Sequence, residues 1–125
     1  MAGKYQVDAM LDAAFDYIRA NVTQMTVCTT QPTTYSQALT VNKLATVAMV
    51  SGDITTTPGD VSGRKMHVGS ENTITVDTTG IANHIALVDT DGTALLFVTT
   101  CTTQQLTTGN TVNIPAWDDE ILDVA

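Results

Sequence analysis

The stretch Ile81-Ala82-Asn83-His84-Ile85-Ala86-Leu87-Val88, then Asp89-Thr90-Asp91-Gly92, then Ala94-Leu95-Leu96-Phe97-Val98-Thr99-Thr100-Cys101 decides how this chain is read. Two apolar, β-branched runs flank an Asp-Gly turn signal, the strongest short-range mark of a β-hairpin. As Asp-x-Asp-Gly the turn also resembles the start of a calcium loop. Such a loop needs further oxygen ligands and a terminal glutamate, and Thr93-Ala94-Leu95-Leu96 follows instead.

Working outward, shorter runs repeat the theme at intervals of roughly 8–12 residues, the rhythm of an all-β sandwich or barrel. Thr23–Thr29 alternates around Met25 and Val27, Arg64–Val68 around Met66 and Val68, and Thr73–Asp77 around Ile74 and Val76. Thr108-Gly109-Asn110 is a turn between Gln105-Leu106 and Thr111–Ile114. Ala38–Val50 suits either a short helix or an irregular edge strand. Beyond Ser51-Gly52-Asp53, the segments Thr57-Pro58-Gly59-Asp60 and Ser62-Gly63 bracket an expected long polar loop. Before the β body, Val7, Met10, Leu11, Ala14, Phe15 and Ile18 recur at spacings of three and four, opposite Asp8, Asp12, Asp16 and Arg19. That is an amphipathic helix over about residues 6–20, with Asn21 as its stop.

The expectation is therefore a mainly β, single antiparallel β-sandwich or barrel-like domain spanning 1–125, with one N-terminal amphipathic helix. The β body covers about 22–115, and an acidic and apolar tail covers 116–125. Threonine fits this assignment: there are 24 Thr in 125 residues, while Asp, Glu, Lys and Arg make up only 14%. Thr is β-branched and suits a half-exposed pleated surface, so it takes over the solvating role that charge usually fills.

The net charge of −8 excludes nucleic acid as a partner, since phosphate neutralisation needs Lys and Arg. The longest apolar run, Ala94–Val98, is far short of the roughly 20 residues that span a membrane. The start, Met1-Ala2-Gly3-Lys4, does not lead into a signal-peptide core. A soluble chain made in the cytoplasm is expected, with Cys28 and Cys101 reduced.

No arrangement of residues argues for chemistry. His67, His84, Cys28 and Cys101 lack zinc-ligand spacing, and a Cys101–His84 dyad has no supporting motif. Asp53 and Asp60 read as loop solvation rather than cation ligands. Asp118-Asp119-Glu120 reads as a solvated acidic terminus without a basic partner. The reading is of a non-enzymatic chain with no cofactor and no metal. The features left concern surfaces: Met10, Phe15 and Tyr17 on the helix, Trp117, Ile121 and Leu122 in the tail, and Tyr35 in a loop are the candidate subunit contacts. The tail reads as packing on the β core or as an arm that adds to a neighbour's sheet edge.

Beyond these properties, several segments carry a resemblance. They include Ala13-Ala14-Phe15-Asp16-Tyr17-Ile18, Cys28-Thr29-Thr30-Gln31-Pro32-Thr33-Thr34-Tyr35, Ser51-Gly52-Asp53 and Ser62-Gly63-Arg64-Lys65. Ala82–Asp89, Leu95–Cys101 and Leu106–Trp117 continue it, so it runs over nearly the whole chain. Together they resemble a family of small virion proteins of tailed bacteriophages, described as minor structural or head-decoration (cement) proteins. The resemblance implies location in the virion, on the capsid surface, and other virion proteins as partners, the major capsid protein first. It also implies a homo-oligomer, a trimer being one expected form, and it carries over no catalytic residue. Other placements are a tail, neck or fibre component, or a carbohydrate- or host-surface-binding β domain using Tyr35 and Trp117.

Overall fold

In the computed structural model, which describes residues 7–60 and 62–121, the first apolar periodicity becomes helix α1, Asp8–Asn21. Leu11 and Phe15, one turn apart, are the residues it buries. Asp8 in its first turn and Arg19 in its last complement the helix dipole. Asn21 closes the helix, its side-chain amide donating to the Tyr17 carbonyl at 2.8 Å.

Nine strands follow among the described residues: β1 (Gln24–Cys28), β2 (Lys43–Ala48), β3 (Ile54–Pro58), β4 (Arg64–Val68), β5 (Glu71–Thr75), β6 (Gly80–Asp89), β7 (Ala94–Leu106), β8 (Thr111–Ile114) and β9 (Trp117–Ile121). All pairings are antiparallel. They form a four-stranded sheet ordered β2-β1-β6-β7, a three-stranded sheet β3-β4-β9 and the ribbon β5-β8. The large sheet turns Met25, Val27, Ile85 and Leu87 toward Ile54, Met66 and Val68 of the three-stranded sheet and toward Ile74, Val112 and Ile114 of the ribbon. Phe15 joins the same core from α1, which lies against β3 and β4. The sheets do not close on one another, so the architecture is sandwich-like and not a barrel. On the far face of the large sheet, Ala86 and Val88 pack with Ala38, under Tyr35 and Leu39.

The hairpin is β6–β7, with Leu87 opposite Phe97 and Ile85 opposite Thr99. Its turn differs from the simplest Asp-Gly form. The Asp89 carboxylate accepts from the backbone N–H groups of Asp91 and Gly92, both at 3.0 Å. The left-handed residue is Thr93, at φ 51°, and not Gly92. Gly92 is needed for space: a Cβ there would stand 2.6 Å from Asp89 Oδ2.

Several elements depart from the sequence reading. The ambiguous span Ala38–Val50 contains both of its alternatives, a π-helical turn at Gln37–Val41 and then β2. The expected polar loop after Asp53 begins as β3, whose three threonines show little apolar alternation but pair in register with β4. β7 runs unbroken to Leu106 because Gln104, Gln105 and Leu106 pair with Ala82, Ile81 and Gly80. The tail is an edge strand through Ile121, in register with β4 from Val68–Trp117 to Arg64–Ile121. Its remainder, 122–125, lies outside the described residues, as does Gln6 at the expected helix start.

Candidate assembly surfaces

The apolar arc of α1 is wider than the core requires. Positions 11, 15 and 18 point inward, and the neighbouring stripe of Val7, Met10, Ala14 and Tyr17 follows at helical spacing. Met10 is 52% and Tyr17 61% exposed, whereas Phe15 is 2% exposed. Met10 and Tyr17 thus stand on an open surface, while Phe15 is a core residue that offers no face to a partner. The helix is clamped in place by Arg64, whose Nε donates to Asp12 Oδ1 at 2.8 Å. That hydrogen bond is the main reason the Arg64 guanidinium holds its proton still more tightly than usual.

Tyr35 is half-buried against the second core cluster. Trp117 and Ile121 are half-buried against the main one. Trp117 stacks on Phe97, centroids 5.7 Å apart and planes 16° apart. Its indole Nε1 is buried with no hydrogen-bond partner among the described residues. Trp117 therefore pins β9 to the large sheet instead of heading a free arm. Leu122 lies outside the described residues.

The acidic run has basic partners that sequence order conceals. Cross-strand pairing sets Asp118 opposite His67, and Asp118 Oδ1 lies 2.6 Å from His67 Nδ1. Lys65 reaches Asp118 at 3.5 Å and Asp60 at 2.8 Å. The hydrogen bond with His67, then Lys65, holds the Asp118 carboxyl below its ordinary range. Lys65 is raised, chiefly by its hydrogen bond to Asp60. Asp119 pairs opposite buried Met66 on the inner face, and burial pushes its carboxyl up. The only sequence signal for this cluster is alternation: Lys65 and His67 share one face of a strand around Met66.

Between the β6–β7 ribbon and the chain from Val112 to Asp118 lies a cleft of about 510 Å³. Thr99, Cys101, Ile85, Val112, Ile114 and Trp117 are among its lining residues. Burial raises the Cys101 thiol above its ordinary value, which leaves it protonated and a poor nucleophile at neutral pH. His84 does not line this cleft, and its Nδ1 lies 2.7 Å from Asn83 Oδ1. Cys28, also raised by burial, sits under the 35–41 segment with its thiol donating to the Ala38 carbonyl at 3.6 Å. Both cysteines are free. Among the described residues no cluster of His, Cys, Asp and Glu could hold a metal ion, and no helix is long and apolar enough to cross a membrane.

Comparison with protein-family models, curated proteins and solved structures gives no match.

Proposed function

We propose that the chain is a non-enzymatic virion structural protein of a tailed bacteriophage, a head-decoration (cement) protein that binds the outside of the capsid and ties neighbouring shell subunits together. The observation that carries this reading is the surplus apolar stripe on α1. Met10 and Tyr17 stand in solvent on a helix whose other side is fixed by Phe15 in the core and by the Arg64–Asp12 ion pair. A rigid helix presenting an apolar stripe suits a groove on a partner. The partner is the major capsid protein, consistent with the resemblance in the helix segment and across the β body.

The structure also weighs on the carbohydrate-binding alternative. Sugar sites use exposed aromatic faces, and Tyr35 and Trp117 both have one side packed into a core.

The test is copy number and attachment. Quantitative gel analysis of purified particles is expected to give hundreds of copies on the head, and a dozen or fewer would sink the decoration reading in favour of neck or tail. Met10→Lys with Tyr17→Lys is expected to abolish binding to undecorated heads while the melting temperature stays within about 2 °C of native. Undiminished binding by this folded variant would remove α1 as the contact.

A further inference from the structure

An exposed strand edge is a template for another strand, and folded proteins blunt such edges by shortness, proline, charge, inward-pointing carboxylates or a covering segment. All but one of the outer strands here carry such a device. β3 has five residues and ends in Pro58. β9 also has five and carries Asp118, Asp119 and Glu120, with Asp119 on the inner face. On the outer side of β2, Val76 bridges to Ala45, and the N–H groups of Asp77 and Thr78 donate to the Leu44 carbonyl. β5 and β8 are five and four residues long.

β7 is the exception. It runs 13 residues, Ala94–Leu106, at the border of the large sheet, with β6 as its one strand neighbour among the described residues. At about 3.4 Å per residue that is an open edge of roughly 44 Å. It holds no proline and no charge: its first half is Ala, Leu, Phe, Val and Thr, and its second is Cys, Thr, Gln and a closing Leu106. Thr100, Thr102, Thr103, Gln104 and Gln105 are exposed. No backbone group outside β6 hydrogen-bonds this edge among the described residues.

The charge map says which partner fits. The 26 residues Gly92–Trp117 contain no Asp, Glu, Lys, Arg or His, although the chain carries a net charge of −8. Two copies of an acidic chain repel over most of their surfaces, and this neutral strip is where they can meet without placing like charges in contact. An edge pairing antiparallel with itself about a two-fold axis is self-complementary and closes at two copies.

We propose that β7 pairs antiparallel with β7 of a second copy, joining the two large sheets into one continuous eight-stranded sheet. The dimer does not depend on the virion reading. A chain that dimerises but never attaches to heads leaves this inference standing, and head binding by a monomer overturns it alone.

The experiment is light scattering on the eluting protein over a concentration series, with backbone amide exchange in parallel. The expected mass is twice the 13.2 kDa chain, and exchange across Ala94–Leu106 is expected to slow as concentration rises. Thr100→Lys with Thr102→Lys, both at exposed positions, is expected to weaken the dimer at least about tenfold by placing like charges across the axis. Ala13→Lys with Tyr17→Lys adds the same charge on α1 and is expected to leave the dimer intact. A monomer at about 1 mM, a trimer, or loss of the dimer in the α1 variant with retention in the β7 variant each overturns the proposal. If the β7 variant fails to fold, amide exchange on the native chain decides: β7 protection that is independent of concentration overturns it.

Discussion

Replacing Phe15 by Ala separates a helix that is part of the core from one that is merely laid on the surface. Phe15 is 2% exposed and belongs to the cluster shared by all three sheets, so truncation removes buried aromatic area and leaves a cavity that β3 and β4 cannot collapse into. Buried Phe→Ala changes cost about 3–5 kcal/mol. An unfolding entropy of about 2.1 cal/mol/K per residue converts this, for a chain of this length, into a melting-temperature loss of roughly 11–19 °C. Tyr17, two residues on and 61% exposed, is the internal control: Tyr17→Ala is expected to fall within about 0.5 kcal/mol of native. Trp117 is the only tryptophan, stacks on Phe97 and packs against the same core cluster as Phe15, so its fluorescence reports unfolding of that core. A Phe15→Ala loss below about 4 °C, or one no larger than that of Tyr17→Ala, would refute the packing of α1 described above.

Three further outcomes follow from the same geometry. Thr93 holds a left-handed backbone at φ 51°, which costs a β-branched residue about 1–2 kcal/mol; Thr93→Gly is expected to gain about 1 kcal/mol in urea unfolding, and a loss would show the turn is held differently. Trp117→Phe keeps a ring on Phe97 and removes an N–H that has no partner among the described residues, so it is expected to lie within about 1 kcal/mol of native, whereas Trp117→Ala loses about 2 kcal/mol or more; equal losses would contradict the stacked geometry. The lowered Asp118 carboxyl contributes stability that is present above its unfolded pKa and is lost as pH falls through its folded value. Asp119 and Glu71, both only partly buried, are raised by desolvation and act in the opposite sense. The stability difference between native chain and Asp118→Asn should therefore be fully present above about pH 5 and close as pH falls below about 4, and a difference that ignores pH would refute the His67–Asp118 contact.

The elements that were legible in sequence are those with an apolar signature of their own: β4 alternates, with Met66 and Val68 inward, while β6 and the start of β7 are continuous apolar runs flanking the Asp91-Gly92 turn. β3 and the end of β7 were illegible for one reason. Thr55, Thr56 and Thr57, like Thr102 through Gln105, carry no apolar face, and their strand character comes from backbone pairing with distant segments. The helix was legible in extent but not in depth, because its apolar arc includes both the residues the core takes and the stripe it leaves. Reading that arc as one face put Phe15 among the contacts. The acidic run was misjudged for a reason of range: Asp118 and His67 lie 51 positions apart, and only the β4–β9 register brings them to 2.6 Å.

A protein that solvates itself with threonine has few charges with which to guard its sheet edges, and the positions they occupy carry information. Asp118 and Glu120 stand outward on β9, and Asp119 occupies the inner face there despite the burial that raises its carboxyl. Lys43 and Asp77 meet at 3.3 Å beside the β2 border, where the 76–78 segment covers the strand. A carboxylate on an inner face costs stability, and nothing in packing the core calls for one opposite Met66. What it does accomplish is to keep another strand off that border. The same chain leaves 26 consecutive residues around its longest border uncharged, where a single lysine in place of any exposed threonine of β7 would have provided the same protection at little cost to folding. The contrast between a guarded short edge and an unguarded long one is what singles out β7 as the edge meant to be covered.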